Sequence, residues 1–227
     1  MKKLLFTLLC LFALTGVAQE ISLIPQPAEM KVNEGKFLFR GKVVLCYPKI
    51  KDSGIDAVVD NFVDEMKAAT GIKLKKDRFK NAKLHGFDVI KNNKKGDAHI
   101  VLSVDETLGD EAYRLSVSAK RIDITAAKPA GFFYAFQTLK QLMPRNVMAG
   151  VYTTCFTMEL GLHDCLPTEY PIPCVEIEDE PRFGWRGFML DEGRHFYGKE
   201  EIKKILDVMA AYKMNRFDWH LTEDQGW

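Results

Sequence analysis

The sequence predicts an α+β domain, in which a sheet carries two helices on one face, followed by a single βαβ unit. Before residue 144, two segments with apolar residues at helical spacing lie among short apolar runs that are typical of strands. After residue 186 the pattern changes to strand, helix and strand, which is the order of one βαβ unit. With 47% hydrophobic and 28% charged residues, the chain has the composition of a folded domain and not of a disordered one.

The charge balance argues against a nucleic-acid partner. The 227 residues contain 32 Lys and Arg against 31 Asp and Glu, a net charge of +1, which becomes −1 when Lys2 and Lys3 are removed with a signal peptide. Neither balance provides a basic surface for phosphate groups, so we expect no nucleic-acid binding. The basic blocks within residues 73–80 and 91–95 are typical of solvated loops.

The N-terminus has the features of a secretory signal. Two lysines precede an apolar run over residues 4–14, and small residues, Gly16 and Ala18, stand at the positions that precede cleavage. The run is shorter than the ~20 residues that span a bilayer. A buried N-terminal helix is the alternative, and Cys10 does not fit a lipoprotein signal because Leu9 precedes it. We therefore expect residues 1–18 to be removed, and the mature protein to be exported and free of the membrane.

Four cysteines remain in the mature chain, and their state stays open at the level of sequence. Cys46, Cys155, Cys165 and Cys174 allow three full disulfide pairings if the protein is exported. Buried thiols are an equally good interpretation. A metal site that uses His163 with Cys165 fits no zinc spacing.

Two helices are predicted in the first domain. Ser53, followed three positions later by an acidic residue, is typical of an N-cap, and Gly71 is typical of a C-terminal stop. The second helix follows Pro129 and ends before Pro144. Each helix has one apolar face, and the two faces are formed by Ile55, Val58, Val59, Phe62, Met66 and Ala69 and by Phe132, Phe136, Leu139 and Met143.

Short strands accompany these helices. Residues 37–46 and 98–104 are apolar and β-branched, and the alternating runs 112–118 and 121–126 predict a hairpin. Residues 145–180 are typical of loop and linker. Together these elements predict an α+β domain over residues 19–144, or 19–175 with its linker.

The last part of the chain predicts the βαβ unit. Residues 187–190 are continuously apolar, which is typical of a strand covered on both faces, and Asp191 follows them. A helix is predicted over residues 200–214, with Lys213 near its negative end. Its inner face is expected to contain Ile202, Ile205, Leu206 and Met209. Alternation over residues 217–221 predicts the second strand.

Polar residues gather where both of these strands end. Arg194 and His195 follow the first strand, His220 closes the second, and Glu223 and Asp224 come next. In parallel α/β folds this end of the strands carries the chemistry. A guanidinium and several carboxylates at one edge suit a neutral ligand rich in hydroxyls. The alternative for Asp218 and His220 is an internal hydrogen-bonded pair.

Three motifs in this region closely resemble family 20 glycoside hydrolases, the exo-acting β-N-acetylhexosaminidases. They are RGFMLDEGRHF at residues 186–196, YKMN at 212–215 and WHLTEDQGW at 219–227. A weaker resemblance covers IPQPAEM, DEAYRLSV and PAGFFYAFQTLKQLMP, which are similar to the non-catalytic domain before the barrel of that family. The resemblance implies that residues 186–227 are the first βαβ unit of a (β/α)₈ TIM barrel.

The family's chemistry is substrate-assisted and implies neither a metal nor an organic cofactor. The 2-acetamido carbonyl of the sugar attacks the anomeric carbon, an Asp orients that amide, and an adjacent Glu protonates the leaving oxygen. Arg194 matches the arginine that holds hydroxyls of the terminal N-acetylhexosamine. Glu223 matches a supporting position that is commonly Asp, and the other motif positions, with supporting roles, are Asp191, His195, His220 and Asp224.

The catalytic Asp-Glu pair of the family has no counterpart before Trp227. A TIM barrel needs about 250 residues, so we expect a truncated barrel: 1–18 signal, 19–175 first domain with linker, and 176–227 the start of the catalytic barrel. The parent protein is expected to release terminal GlcNAc or GalNAc from glycans, and this chain alone to be inactive. The alternative is a non-catalytic carbohydrate-associated module or an inactive remnant.

Overall fold

The computed structural model describes residues 21–49, 54–79, 98–144 and 168–224. The predicted signal peptide lies outside the described residues, and so do Ser53, Cys155, His163 and Cys165. Within the described part, no helix is both long enough and apolar enough to cross a bilayer.

The first domain is built on a seven-stranded sheet in the order β1-β7-β5-β6-β4-β2-β3. Strands β2, β3, β4 and β6 run parallel to one another, while β5 and β1 are antiparallel to β7 and β5 is antiparallel to β6. The hairpin predicted from the alternating runs is confirmed as β5–β6. The strands are β1 Glu29–Arg40, β2 Val43–Pro48, β3 Leu74–Phe79, β4 Ala98–Val104, β5 Tyr113–Val117, β6 Arg121–Ala126 and β7 Glu169–Asp179.

Two helices pack on one face of this sheet, as the sequence predicts. They are α1, Ile55–Thr70, and α2, Pro129–Leu142. The rings of Phe62 and Phe136 stack with centroids 4.0 Å apart. Both helices share one core cluster with alternate residues of the strands, such as Leu45 and Ile100, whereas their neighbours on the other face form a smaller cluster.

Three local predictions differ from the structure. Residues 37–46 form not one strand but parts of β1 and β2, which are separated by Gly41 with a φ of 61°. The basic segment at 73–80 includes β3, the edge strand of the described sheet, and two of its basic side chains, Lys76 and Arg78, pair with Asp60 and Asp56 of the first helix of the domain. The residue at the N-cap of α1 is Gly54, with a φ of 73° and no side-chain cap.

The region predicted as loop and linker contains the strand β7, which lies second from the edge of the sheet. Among the described strands, its residues 169–173 pair with β1 alone, residues 175–178 pair with both β1 and β5, and Asp179 pairs with β5. Pro171 and Pro173 lie in the first part, where the missing N–H groups cost no bond to β5. The domain boundary predicted after residue 175 therefore falls inside a strand that ends at Asp179.

The remaining residues form the predicted βαβ unit. Strands β8, Gly187–Asp191, and β9, Arg216–His220, pair in parallel, and helix α3, Lys199–Ala211, connects them. Ile202 and Met209 of α3 are buried as expected, but Leu206 is exposed. Phe188 and Met189 are exposed as well, so the residues that the structure describes do not cover β8 on both faces.

The βαβ unit packs against the first domain at the N-terminal ends of its strands. Arg186, just before β8, donates from Nη1 to Glu111 Oε2 at 2.9 Å, and Asn215, just before β9, donates to Glu111 Oε1 at 3.0 Å. Burial alone would raise the pKa of Glu111, but the hydrogen bonds from Arg186 and Asn215 outweigh it and leave the pKa lowered. One carboxylate thus ties the starts of both strands to the first domain.

A second contact between the two parts is a buried ion pair. Lys213, in the turn after α3, donates from Nζ to Asp179 Oδ2 at 2.7 Å and to the Tyr113 hydroxyl at 2.9 Å. Thr138 shares a 2.6 Å hydrogen bond with the same hydroxyl. Burial lowers the pKa of Lys213 and raises that of Tyr113. The sequence predicted Lys213 within the end of the helix, whereas the structure places it after the last residue of α3 and buries it against the first domain.

Of the cysteines that the structure describes, both are buried. Cys174 is a free thiol whose pKa is raised by burial, and Cys46 lies in the smaller cluster on the other face of the sheet. A full pairing of all four mature cysteines would require Cys174 in a disulfide, so the structure favours the buried-thiol interpretation for this residue.

Candidate active-site rim

The candidate site lies at the carboxyl ends of β8 and β9, here called the rim. The parallel register places Asp191 directly opposite His220, the last residue of each strand. The rim loop, residues 192–198, then leads to α3, and residues 221–224 follow β9. Because both strands end at the same edge, polar residues that are far apart in sequence meet there.

Four of the predicted site residues come together at the rim. Arg194 Nε lies 3.6 Å from Asp191 Oδ2 and 3.5 Å from Glu223 Oε1, and His220 Nε2 lies 3.6 Å from the same oxygen of Glu223. The backbone N–H of Arg194 also donates to Asp191 Oδ1 at 3.0 Å. Two carboxylates therefore flank one guanidinium, whose side chain is 80% exposed.

Two other predicted residues lie outside this cluster. His195 is exposed and makes an edge-on contact with the ring of Tyr197, with centroids 4.8 Å apart. Asp224 is exposed beyond β9. Asp218 is exposed too, and the described residues contain no hydrogen bond between Asp218 and His220, so the internal pair considered for them is not formed.

The cluster has the geometry of an ion pair more than that of a metal centre. Asp191, His220 and Glu223 could each turn one ligand atom to a common point, since these atoms lie within 4.8 Å of one another. The Arg194 guanidinium already lies against both carboxylates. A cation bound there would be repelled by the guanidinium and would have to displace it. The arrangement is better suited to holding an arginine for an uncharged, hydroxyl-bearing ligand.

Sequence reasoning missed Glu192. This residue is 2% exposed, and its carboxylate accepts hydrogen bonds from the backbone of the rim loop and from Trp219. The sequence showed only an acidic residue beside Asp191 in a polar segment, and glutamates are rarely buried. The usable signal was Trp219 in the neighbouring strand, an indole that needs a hydrogen-bond acceptor.

Two family models match the chain on either side of the turn after β7. The model for glycosyl hydrolase family 20, domain 2, matches residues 20–180, and the model for the glycosyl hydrolase family 20 catalytic domain matches residues 183–227. The chain belongs to glycoside hydrolase family 20. All residues of the rim therefore lie in the part that matches the catalytic domain of this family.

Individual relatives agree with the family models. A β-hexosaminidase of Porphyromonas gingivalis is 32% identical over 243 residues, which cover 100% of this chain and 28% of the relative. The solved β-N-acetylhexosaminidase of Streptomyces coelicolor aligns with a TM-score of 0.67 and 30% identity, over 90% of this chain and 35% of that one. The exo-β-N-acetylglucosaminidase of Vibrio harveyi, solved with N-acetylglucosamine, aligns with a TM-score of 0.66 and 28% identity, over 90% and 26%. The family 20 chain described here thus spans about a third or less of these relatives.

Proposed function

We propose that the protein to which these residues belong is an exo-β-N-acetylhexosaminidase. It hydrolyses terminal non-reducing N-acetyl-D-hexosamine residues from glycans. Membership of family 20 and the relatives named β-hexosaminidase support this activity. The single observation that supports it within the structure is an exposed arginine, Arg194, fixed between two carboxylates at the rim.

Arg194 is the proposed sugar-binding residue of this site. Its side-chain ion pairs with described residues use Nε, and the side chain is otherwise open to solvent. Its two terminal nitrogens carry four further N–H donors in a rigid planar fork. Such a group suits the ring hydroxyls of a neutral sugar, which need several donors in a fixed geometry.

Glu223 has a defined contact in this arrangement. Family members commonly carry Asp at this position, and the extra methylene lets Oε1 lie 3.5 Å from Arg194 Nε and 3.6 Å from His220 Nε2. Glu223 therefore connects the loop after β8 to the end of β9. We propose that it supports Arg194 from behind, together with Asp191, and takes no proton in the reaction.

The proposed reaction is the substrate-assisted, retaining hydrolysis implied by the family. The sugar's acetamido oxygen attacks the anomeric carbon, an Asp orients the amide, and a Glu gives a proton to the leaving oxygen. We place that Asp-Glu pair beyond Trp227 and regard β8–α3–β9 as the start of a (β/α)₈ barrel. We also propose export with cleavage after Ala18, which N-terminal sequencing of secreted material would test.

Activity is tested on the full-length protein. It is assayed with chromogenic N-acetyl-β-D-glucosaminide and N-acetyl-β-D-galactosaminide, and with the β-D-glucoside that lacks the acetamido group. Cleavage of the first two and not of the third is expected, because the acetamido group is the nucleophile. Cleavage of the glucoside at a similar rate would contradict the mechanism, and no turnover of any of them would favour a non-catalytic module. The 227-residue chain alone should be inactive.

The role of Arg194 is tested by Arg194→Ala and Arg194→Lys in the same full-length protein. Loss of hydrogen bonds from a charged donor should lower kcat/KM on the order of ten- to a hundredfold, with little change in Tm because the side chain is exposed. Arg40→Ala is the control, since Arg40 is an exposed arginine at the end of β1 in the first domain that pairs with Glu169 of β7. An unchanged kcat/KM with a lowered Tm would show that Arg194 only stabilises the loop.

A further inference from the structure

The rim loop is exposed along its tip but has one buried carboxylate beneath it. Arg194 and Phe196 are largely open to solvent, whereas the side chain of Glu192 is enclosed. A buried glutamate is costly unless its oxygens receive hydrogen bonds. The partners of Glu192 therefore indicate what this residue does for the site whose function is proposed above.

Glu192 joins three parts of the rim. Its Oε1 accepts hydrogen bonds from the backbone N–H groups of Tyr197 and Gly198, both at 3.1 Å, at the far end of the rim loop. Its Oε2 accepts a 2.7 Å hydrogen bond from Trp219 Nε1 on β9. Its own backbone N–H donates to the carbonyl oxygen of His220 at 2.9 Å. One side chain thus closes the loop on itself and fastens it to the next strand.

The rim loop, whose two ends Glu192 joins, is the segment that carries Arg194. Between the two anchored ends, Gly193 lies so close to the neighbouring strand end that a Cβ there would come within 3.2 Å of Asp191 Oδ1 and 3.3 Å of Glu223 Cγ. The backbone around Arg194 therefore has little room to move on that side. Movement away from β9 is opposed by the bonds to Glu192.

We propose that Glu192 is a positioning residue for the sugar-binding guanidinium. By holding both ends of the rim loop and the Trp219 indole, it fixes the backbone from which Arg194 reaches the ligand. Glu192 itself is covered by the loop and makes no contact with substrate. Charge-assisted hydrogen bonds from three donors are strong enough for this task, since each is about twice as strong as a neutral one. The inference rests on the proposed hexosaminidase activity and adds a residue to it.

The first test is Glu192→Gln in the full-length enzyme. Glutamine keeps the shape and can still accept from the two backbone N–H groups, but its amide nitrogen meets the Trp219 N–H, donor against donor. We expect kcat/KM on the chromogenic N-acetylglucosaminide to fall about tenfold. Glu200→Gln is the matched control, because Glu200 is exposed on α3 and pairs, among the described residues, with the exposed Lys203. We expect the kcat/KM of this variant to equal that of the wild type.

A double-mutant cycle separates positioning from general stability. If Glu192 acts through Arg194, then Glu192→Gln should cost much less in an Arg194→Ala background than in the wild type. If Glu192 had a merely structural role, the two substitutions would act independently, and their fold-losses in kcat/KM would multiply in the double variant. All variants are assayed well below their own Tm. The proposal would be overturned if the fold-losses in kcat/KM multiplied in the double variant, or if Glu192→Gln had the kcat/KM of the wild type.

Trp219→Phe provides a second route if Glu192→Gln does not fold. It removes only the indole donor and keeps an aromatic ring, and it should show the same coupling to Arg194→Ala, with a smaller loss of kcat/KM. Independence of Trp219→Phe and Arg194→Ala would count equally against positioning. Failure of the hexosaminidase proposal would be recognised separately, as absence of turnover by the wild-type enzyme.

Discussion

Lys213 shows how one side chain can join two parts of the molecule. It follows α3 with a φ of 57°, and its ammonium group lies between Asp179 and Tyr113 of the first domain. Its side chain is only 4% exposed and that of Asp179 only 10%. At this depth the attraction between the two charges offsets only part of the cost of removing them from water, so either charge without the other is strongly unfavourable.

We expect Lys213→Met to destabilise the chain by about 3–5 kcal/mol, because it leaves the Asp179 carboxylate buried without its cation. Methionine has a similar length and a similar backbone preference, so the comparison isolates the ammonium group. Urea denaturation followed by circular dichroism measures the free energy of unfolding.

Lys203→Met is the matched control for this substitution. Lys203 is exposed and pairs with Glu200 one turn away on α3, so its loss should change the free energy of unfolding by no more than about 0.5 kcal/mol. Equal effects of the two substitutions would show that the buried pair contributes no more than a surface pair.

Single residues differ in how far their environment can be predicted from sequence. Arg194 and Glu223 were placed at the rim because position at a strand end follows from the strand–helix–strand pattern alone. Lys213 and Glu192 were not recognised, because their burial depends on partners that are distant in sequence. Nothing in the local pattern distinguishes a buried charge from a solvated one.

Among the elements, helix α2 makes the tightest approach to the sheet. Gly131, in its first turn, lies where a Cβ would be 2.3 Å from the carbonyl oxygen of Ala112 and 2.8 Å from Ala126 Cβ. The glycine lets the helix lie directly over the start of β5. Phe132 and Phe136 then reach the core, as the spacing of the apolar residues predicts.

We expect Gly131→Ala to destabilise the protein by about 1–3 kcal/mol, since the methyl group has to displace backbone and not a flexible side chain. Thermal unfolding measures the effect. The expected destabilisation is opposite in sign to the effect of helix propensity, which alone would make the alanine variant more stable by up to ~1 kcal/mol.

Gly184→Ala is the control for the added methyl group. A Cβ at Gly184 would meet no atom within 4 Å, so Tm should stay nearly unchanged. If Gly131→Ala were equally harmless, α2 would have to shift freely over β5, and the close approach would not be a constraint.

The elements that the sequence predicts well are those with local signals. Both helices of the first domain, the β5–β6 hairpin and the βαβ unit follow from periodicity over a few turns or residues. Strand β7 was assigned to a loop because two prolines interrupt its pattern. The sheet accommodates these prolines because β5 is too short to pair with that part of β7, and the length of the neighbouring strand is a property of the assembled sheet.

At the scale of the whole molecule, the βαβ unit depends on the first domain. A parallel pair of strands with one helix is too small to be stable alone, and several of its apolar side chains are exposed. Glu111 and Asp179 hold its strand starts, and Gln141 Nε2 donates to the carbonyl oxygen of Ala211 at 3.2 Å. All these contacts lie at the end opposite the rim, so the described residues of the first domain leave the candidate site uncovered.

We therefore expect residues 181–227, expressed alone, to show no cooperative thermal transition, whereas the same residues in the full chain are folded. Hydrogen exchange checks this, because amides of β8 and β9 should be protected in the 227-residue chain and unprotected in the isolated segment. Asn215→Ala, which removes the bond to Glu111, should lower protection in β8 and β9 more than in β2 and β4. Equal protection of β8 in the isolated segment would contradict this dependence.

The pairing of β1 with β7 also has a consequence for the order of assembly. In the described sheet β1 is an edge strand with β7 as its one neighbour, and the hydrogen bond from Ala28 to Asp179 spans 151 residues of sequence. A contact between residues so far apart in sequence forms slowly, because the chain between them must first be brought together. On a ribosome that adds about 5–20 residues per second, β1 waits roughly 8 to 30 seconds for its partner to be synthesised. Among the described strands of this domain, the one made first can therefore pair only with the one made last.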